Sequence, residues 1–199
     1  MPPSAHHPTR GRGLLEGHLA RLRAGRANRL IPDRLRAGRI LDIGCGSYPY
    51  FLAHTSFRHK VALERSQPAV AVPDIQWHSL DLNDCPGLPF EAADFSVVTM
   101  LAVAEHLNPD ALISLLAEIH RVLEPGGMAI LTTPAAWSDT LLRWMARLCL
   151  VSAEEIQEHT FSYTLPLLGW CFGRAGFALR QVRFGYFELF LNLWATAGR

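Results

Sequence analysis

The chain has 199 residues, 49% of them hydrophobic, and a formal net charge of +1, enough for one domain with a substantial core. No apolar run reaches the roughly 18 residues of a membrane-spanning helix. Cys45, Cys85, Cys149 and Cys171 are scattered without a Cys-x-x-Cys pair, which excludes a cysteine metal site or a disulfide framework and fits a reducing, cytoplasmic compartment.

The near-zero charge hides an asymmetry. Through Arg39 there are nine arginines against Glu16 and Asp33, whereas the remainder holds ten basic and sixteen acidic residues. Such a basic leading segment is either a solvated helix face or a surface that meets an anionic substrate, a membrane or nucleic acid. Residues 1–13 are Pro, His, Gly and Arg without an apolar stretch, so they are expected to be disordered and not a secretory signal. Residues 14–199 are expected to form a single domain. It opens with a moderately amphipathic, arginine-rich helix over 14–30, ended by Pro32.

The next stretch, Arg39-Ile40-Leu41-Asp42-Ile43-Gly44-Cys45-Gly46-Ser47-Tyr48-Pro49, organises the chain. A short apolar strand runs into a turn with alternate glycines and then a helical run. Ser47 is the expected N-cap and Pro49 the expected first-turn residue. Glycines suit positive φ and close ligand approach, and the free helix amides favour a carboxylate or phosphate. A dinucleotide fingerprint would place a third glycine where Pro49 stands, and Asp42 is poorly placed beside a pyrophosphate. Asp42 suits a ligand with a cation near the turn. The Leu-Asp-Ile-Gly-Cys-Gly segment resembles the signature of class I S-adenosylmethionine-dependent methyltransferases.

A second strand over 59–64 ends in Glu64, about 20 residues beyond the turn, where doubly wound α/β folds place an acid against ribose hydroxyls. A third strand over 75–80 is followed by Asp81 and Leu82. These match the positions at which the resembled family binds adenine, by a carboxylate on the amino group and a backbone N–H at the ring. Phe95-Ser96-Val97-Val98-Thr99-Met100-Leu101 reads as a central parallel strand buried on both faces. After it, Ala102-Val103-Ala104-Glu105-His106-Leu107 resembles the Glu-His-Leu segment of the small-molecule, quinone-biosynthesis-like branch of that family. Asn108-Pro109-Asp110 caps a helix with Leu112, Leu115, Leu116, Ile119, Val122 and Leu123 at helical spacing. Glu124-Pro125-Gly126-Gly127 stops it, and a fifth strand follows over 128–132.

An apolar helix carrying Trp137 and Trp144 lies within a lid-like helical insert over about 135–163, and a further helix spans 165–175, closed by Gly176. Two strands over 178–184 and 187–196, turning at Gly185, are close enough to require antiparallel pairing. The expected fold is therefore α/β, a doubly wound Rossmann-like sheet, mostly parallel with an antiparallel C-terminal hairpin. The resemblance covers residues 39 to the end, and departs from the family pattern at Tyr48 and Ser96.

By that resemblance the cofactor is S-adenosyl-L-methionine. Asp42, Gly44 and Gly46 are expected at its methionine end, Glu64 at the ribose, Asp81 and Leu82 at the adenine, and Met100 lining the crevice. His106 and His159 are the candidate bases, because an unperturbed histidine titrates nearest neutrality. Glu105 shares that ambiguity between catalysis and structure. No metal is expected. The acceptor is expected to be small or lipid-linked, with peripheral membrane contact open through the apolar helix and the basic leading helix. No nucleic-acid partner is expected. The alternatives are a non-catalytic cofactor-binding relative and an NAD-dependent oxidoreductase.

Overall fold

A computed structural model of the chain describes residues 16–66, 68, 72–82, 87–138 and 160–199. In chain order the elements are α1 (Glu16–Leu30), β1 (Arg39–Ile43), α2 (Tyr50–Ala53), β2 (His59–Glu64), β3 (Ile75–Ser79) and β4 (Phe95–Leu101). There follow α3 (Pro109–Val122), β5 (Leu123–Pro134), α4 (Leu165–Arg174), β6 (Val182–Phe187) and β7 (Asn192–Gly198). The seven strands form one sheet in the order β3-β2-β1-β4-β5-β7-β6. The first five are parallel, and β7 runs antiparallel to both β5 and β6. This is the Rossmann-like, mostly parallel sheet with a C-terminal hairpin that the sequence predicts.

Alternation along each strand divides the core between the two faces of the sheet. Leu41, Ile43, Leu63, Val98, Met100 and Leu131 face α3 and α4. Ile40, Ala62, Val97 and Ile130 face α1 and α2, where Ala24, Ala27 and Leu52 cover them. Small residues at 24 and 27 let α1 lie close to the sheet. α3 begins as its sequence requires, with the Asn108 side chain accepting from the Ala111 N–H at 2.9 Å and Pro109 next in line.

Chain order leaves β1 outward through β2 to β3, then crosses to β4 on the other side of β1. The order of the strands therefore reverses between β1 and β4. In open α/β sheets the crevice at the carboxyl ends of such a pair is where ligands bind.

Two local expectations are corrected. The helix after β1 is only four residues long, and its N-cap is Pro49, at φ −77° and ψ 65°, with no side-chain cap. Ser47 therefore does not cap it, and so short a helix supplies no substantial dipole for an anion. The C-terminal hairpin also turns later than its glycine suggests. Gly185 lies inside β6, paired with Trp194, and the turn is made by Glu188, Leu189 and Phe190 at φ 51°, 55° and 69°. A Cβ at 185 would stand 2.5–2.6 Å from the Trp194 indole, so this glycine makes room for a ring and not for a turn.

The fifth strand is longer than expected, extending from Leu123 through Pro134. The apolar helix of the insert falls largely outside the described residues. At its flanks, Ala136–Ser138 is a short 3-10 turn, and Ala135 bridges to Tyr163.

Candidate functional site

The loop after β1 takes its shape from two glycines in the left-handed region, Gly44 at φ 72° and Gly46 at φ 74°. At 44 the requirement is double, because a Cβ there would lie 2.4 Å from a methyl of Val103. Val103 sits on the loop after β4, so the two loops flanking the strand-order reversal touch each other. The Gly44 N–H donates to Leu63 O at 2.8 Å, which ties the same turn to the end of β2.

Glu64 completes that corner. It is 7% exposed, and its two carboxylate oxygens accept from backbone amides on both sides, Gly46 N–H at 3.0 Å and Arg65 N–H at 2.9 Å. Both bonds fix the plane of the carboxylate at the carboxyl end of β2. An ionised carboxylate offers about four acceptor directions, so its chemistry suits a pair of neighbouring hydroxyls. One strand further out, Asp81 and Leu82 follow β3. The Asp81 carboxylate lies 3.8 Å from the Arg65 guanidinium, and Leu82 packs against the α3-side core.

Asp42 occupies a different environment. It is 3% exposed on the α1 side of the sheet and accepts from the Thr99 hydroxyl at 2.6 Å. Burial pushes its carboxyl up from 3.8 to about 7, against the lowering effect of the Thr99 bond. A cation brought to this carboxyl would favour its ionised form. Met100 is placed otherwise than expected. It is 1% exposed and packs into the α3-side core, so its side chain offers almost no surface to the crevice.

Beyond β4 the backbone is strained at Ala102, a non-glycine residue at φ 58°. Its N–H donates to Thr132 O at 2.9 Å, fastening the loop to β5. The following 3-10 turn, Ala104–His106, holds a buried acid. Glu105 accepts from the Thr133 hydroxyl at 3.0 Å, and its backbone carbonyl accepts from the N–H groups of Thr160 and Phe161 at 2.8 and 3.0 Å. Tyr163, fully buried, donates its hydroxyl to Leu107 O at 2.8 Å, and burial raises its phenol above the ordinary range. His106 is half-buried, with its N–H bonded to Val103 O at 3.0 Å. His159 lies outside the described residues.

The structure thus bonds Gly46 to Glu64 and Gly44 to Leu63 beside it, with Asp81 and Leu82 one strand away and His106 in the turn after β4. Three further residues were not singled out from sequence. Thr99, Val103 and Thr133 complete the site by packing or hydrogen bonding to Asp42, Gly44 and Glu105. Each is an ordinary strand or loop residue whose part depends on a neighbour distant in the chain, so local pattern carries no trace of it.

The donor set fits a nucleoside bearing a cationic tail. A fixed carboxylate at β2 suits a vicinal diol, a second acid at β3 suits an amino group, and an acid beside the glycine turn suits positive charge.

Residues 15–182 match the model of a family described as a methyltransferase domain. The chain is 25% identical over 158 residues to the malonyl-[acyl-carrier protein] O-methyltransferase of Alcanivorax borkumensis, covering 68% of this chain and 48% of that protein. It is 33% identical over 112 residues to the ubiquinone/menaquinone biosynthesis C-methyltransferase of Desulfotalea psychrophila, covering 50% and 44%. The chain therefore spans about half the length of these curated relatives. Its fold is similar to that of a SAM-dependent methyltransferase from Archaeoglobus fulgidus, with a TM-score of 0.67, 15% identity, and 90% and 94% of the two chains covered.

Proposed function

Because the chain belongs to the methyltransferase domain family, we propose that its crevice binds S-adenosyl-L-methionine and serves methyl transfer to a small or lipid-linked acceptor. The observation that carries this is the Glu64 carboxylate, locked by the Gly46 and Arg65 amides beside a two-glycine turn where the strand order reverses. Glu64 would hold the ribose hydroxyls, Asp81 and the Leu82 amide the adenine, and Gly44, Gly46 and Asp42 the methionine end. When bound, this cofactor supplies an electrophilic methyl group on a sulfonium.

The chain's own contribution is placement. Holding donor and acceptor about 3 Å apart and in line can remove roughly 7–11 kcal/mol of barrier. The loops around Gly44 and Val103 set the crevice walls, and the strained Ala102 corner directs the β4 loop across it. An oxygen acceptor would give its proton to the His106 imidazole, with His159 the second candidate base. The curated relatives carry the names of an O- and a C-methyltransferase, so both acceptor types belong in the test.

Calorimetry with S-adenosylhomocysteine and with NAD separates the proposed cofactor from a dinucleotide. Binding of the first alone is expected, and binding of NAD alone would sink the proposal. Label transferred from a methyl-labelled donor into the lipid or small-molecule fraction of a cell extract then distinguishes turnover from binding without catalysis.

A further inference from the structure

We propose that the tip of the β6–β7 hairpin, together with the arginine-bearing side of α1, is a docking surface for an anionic lipid bilayer. Leu189 is 88% exposed, Phe190 66% and Tyr186 41%, and the Tyr186 and Phe190 rings lie 5.7 Å apart. Single exposed apolar residues are ordinary on protein surfaces, but two large ones at the apex of a hairpin turn, backed by a third, are not. The backbone makes this display costly. Glu188, Leu189 and Phe190 are three successive non-glycine residues with left-handed φ, each carrying about 1–2 kcal/mol of steric cost. Leu189 and Phe190 recover little of it by burial. Strain of that kind persists where the display itself is used.

The charge beside the tip is complementary to anionic head groups. Near the tip α1 carries Arg23 and Arg26, against Glu188 on the turn. Arg26 stacks over Trp194 of β7, 4.6 Å from the ring centroid, so α1 flanks the hairpin directly. Glu188 does not project as a bare anion. It accepts from the Asn192 side chain, Arg23 acts on it electrostatically, and burial holds its carboxyl above the usual range. Apolar side chains flanked by arginine are the composition of a surface that enters the head-group region of a bilayer. A hairpin apex that exposes two successive apolar side chains beside arginine suits insertion between lipids better than the flat or grooved contact of a folded protein. Among the described residues no helix is long and apolar enough to cross a membrane.

The surface also stands on the functional rim. The hairpin turn pairs with the carboxyl end of β5 through Asn192 and Pro134, and the Ala135 N–H donates to Leu191 O at 2.8 Å. Docking would present the carboxyl-end crevice toward the bilayer. That consequence rests on the methyl-transfer reading above, whereas the docking surface does not.

The test is flotation of the full chain with vesicles of phosphatidylcholine alone and of phosphatidylcholine mixed with phosphatidylglycerol. Flotation is expected with the anionic vesicles, and much less with the neutral ones. The double substitution Leu189→Ser, Phe190→Ser should lower binding about tenfold or more, and Arg23→Gln about fivefold. Phe190→Trp should blue-shift its emission on anionic vesicles as the ring leaves water. Absence of flotation, flotation unchanged in the double variant, or an apex that changes only the oligomeric state in light scattering would overturn the proposal. S-adenosylhomocysteine affinity, measured on the same double variant, should equal that of the unaltered chain. Loss of vesicle binding with that affinity retained therefore separates the surface from the crevice.

Discussion

At the scale of single residues, Asp42 joins stability to ligand chemistry most directly. Its carboxyl is raised from 3.8 to about 7 by burial, so between those values the folded chain holds a proton that the unfolded chain has released. Stability attributable to this group therefore falls as pH rises through that window and is constant above it. The slope is at most about 1.4 kcal/mol per pH unit. Asp42→Asn keeps an acceptor for the Thr99 hydroxyl and removes the buried charge. Urea melts of this variant should match the unaltered chain near about pH 4 and exceed it by roughly 3 kcal/mol at neutral pH. Its affinity for S-adenosylhomocysteine should fall, because the carboxylate that would pair with the ligand's ammonium is lost. Glu64 and Asp81 make a sharper pair of tests. Changing either to alanine should weaken that ligand about tenfold or more in calorimetry, the scale of hydrogen bonds to a charged group. Glu64 was legible in sequence from its strand end and its spacing from the turn, whereas Asp81 was reached only through the family resemblance. The Thr99 bond was not legible, since it joins residues 57 positions apart.

At the scale of elements, glycine can mark a turn or an absence of side chain, and sequence alone does not distinguish the two. Gly44 and Gly46 follow a strand and adopt the left-handed conformations expected of them. Gly185 was read the same way, yet it lies flat in β6 beneath the Trp194 indole. Gly185→Ala should therefore cost about 1–3 kcal/mol through overpacking, seen as a lower urea midpoint with an unchanged slope. Were the glycine a turn residue, the cost would instead be one of φ, and Trp194→Ala would not relieve it. With the ring contact responsible, the double variant Gly185→Ala, Trp194→Ala should show strong coupling, the alanine at 185 costing little once the indole is gone. The α2 helix is a second instance. Good capping residues at 47 and 49 suggested a helix start, but the backbone at Pro49 begins a single turn that ends by His54. Here capping preference placed the N-cap two residues early and carried no information on length.

At the scale of the whole molecule, the sheet separates stability from binding by its two ends. The carboxyl ends carry the crevice and the exposed hairpin apex, while the amino ends are sealed by side chains. Ser96, which departs from the family pattern, lies at the amino end of β4. Its buried hydroxyl is 2.8 Å from Leu35 O and 2.9 Å from Arg39 O. Nearby, Arg39 pairs with Asp94. Ser96→Ala should cost about 1–2 kcal/mol of stability while leaving S-adenosylhomocysteine affinity unchanged, as calorimetry on the variant would check. The overall architecture was readable because alternating strand and helix patterns with a long apolar central strand admit few arrangements. The walls of the crevice were less so. Gly44 against Val103, and Glu105 against Thr133, are tertiary meetings that no periodicity encodes.

The position of β7 between β5 and β6 has a bearing on how the chain is made. During synthesis β6 leaves the ribosome before β7, yet among the described residues β7 is its only neighbour in the sheet. Until that later strand inserts, the outer edge of β5 stays bare and β6 has nothing to join, a state open to misassociation with other nascent chains. The sheet can close only once both arms of the hairpin are available, so released chains truncated between residues 187 and 192 should aggregate, whereas chains that include residue 198 should not.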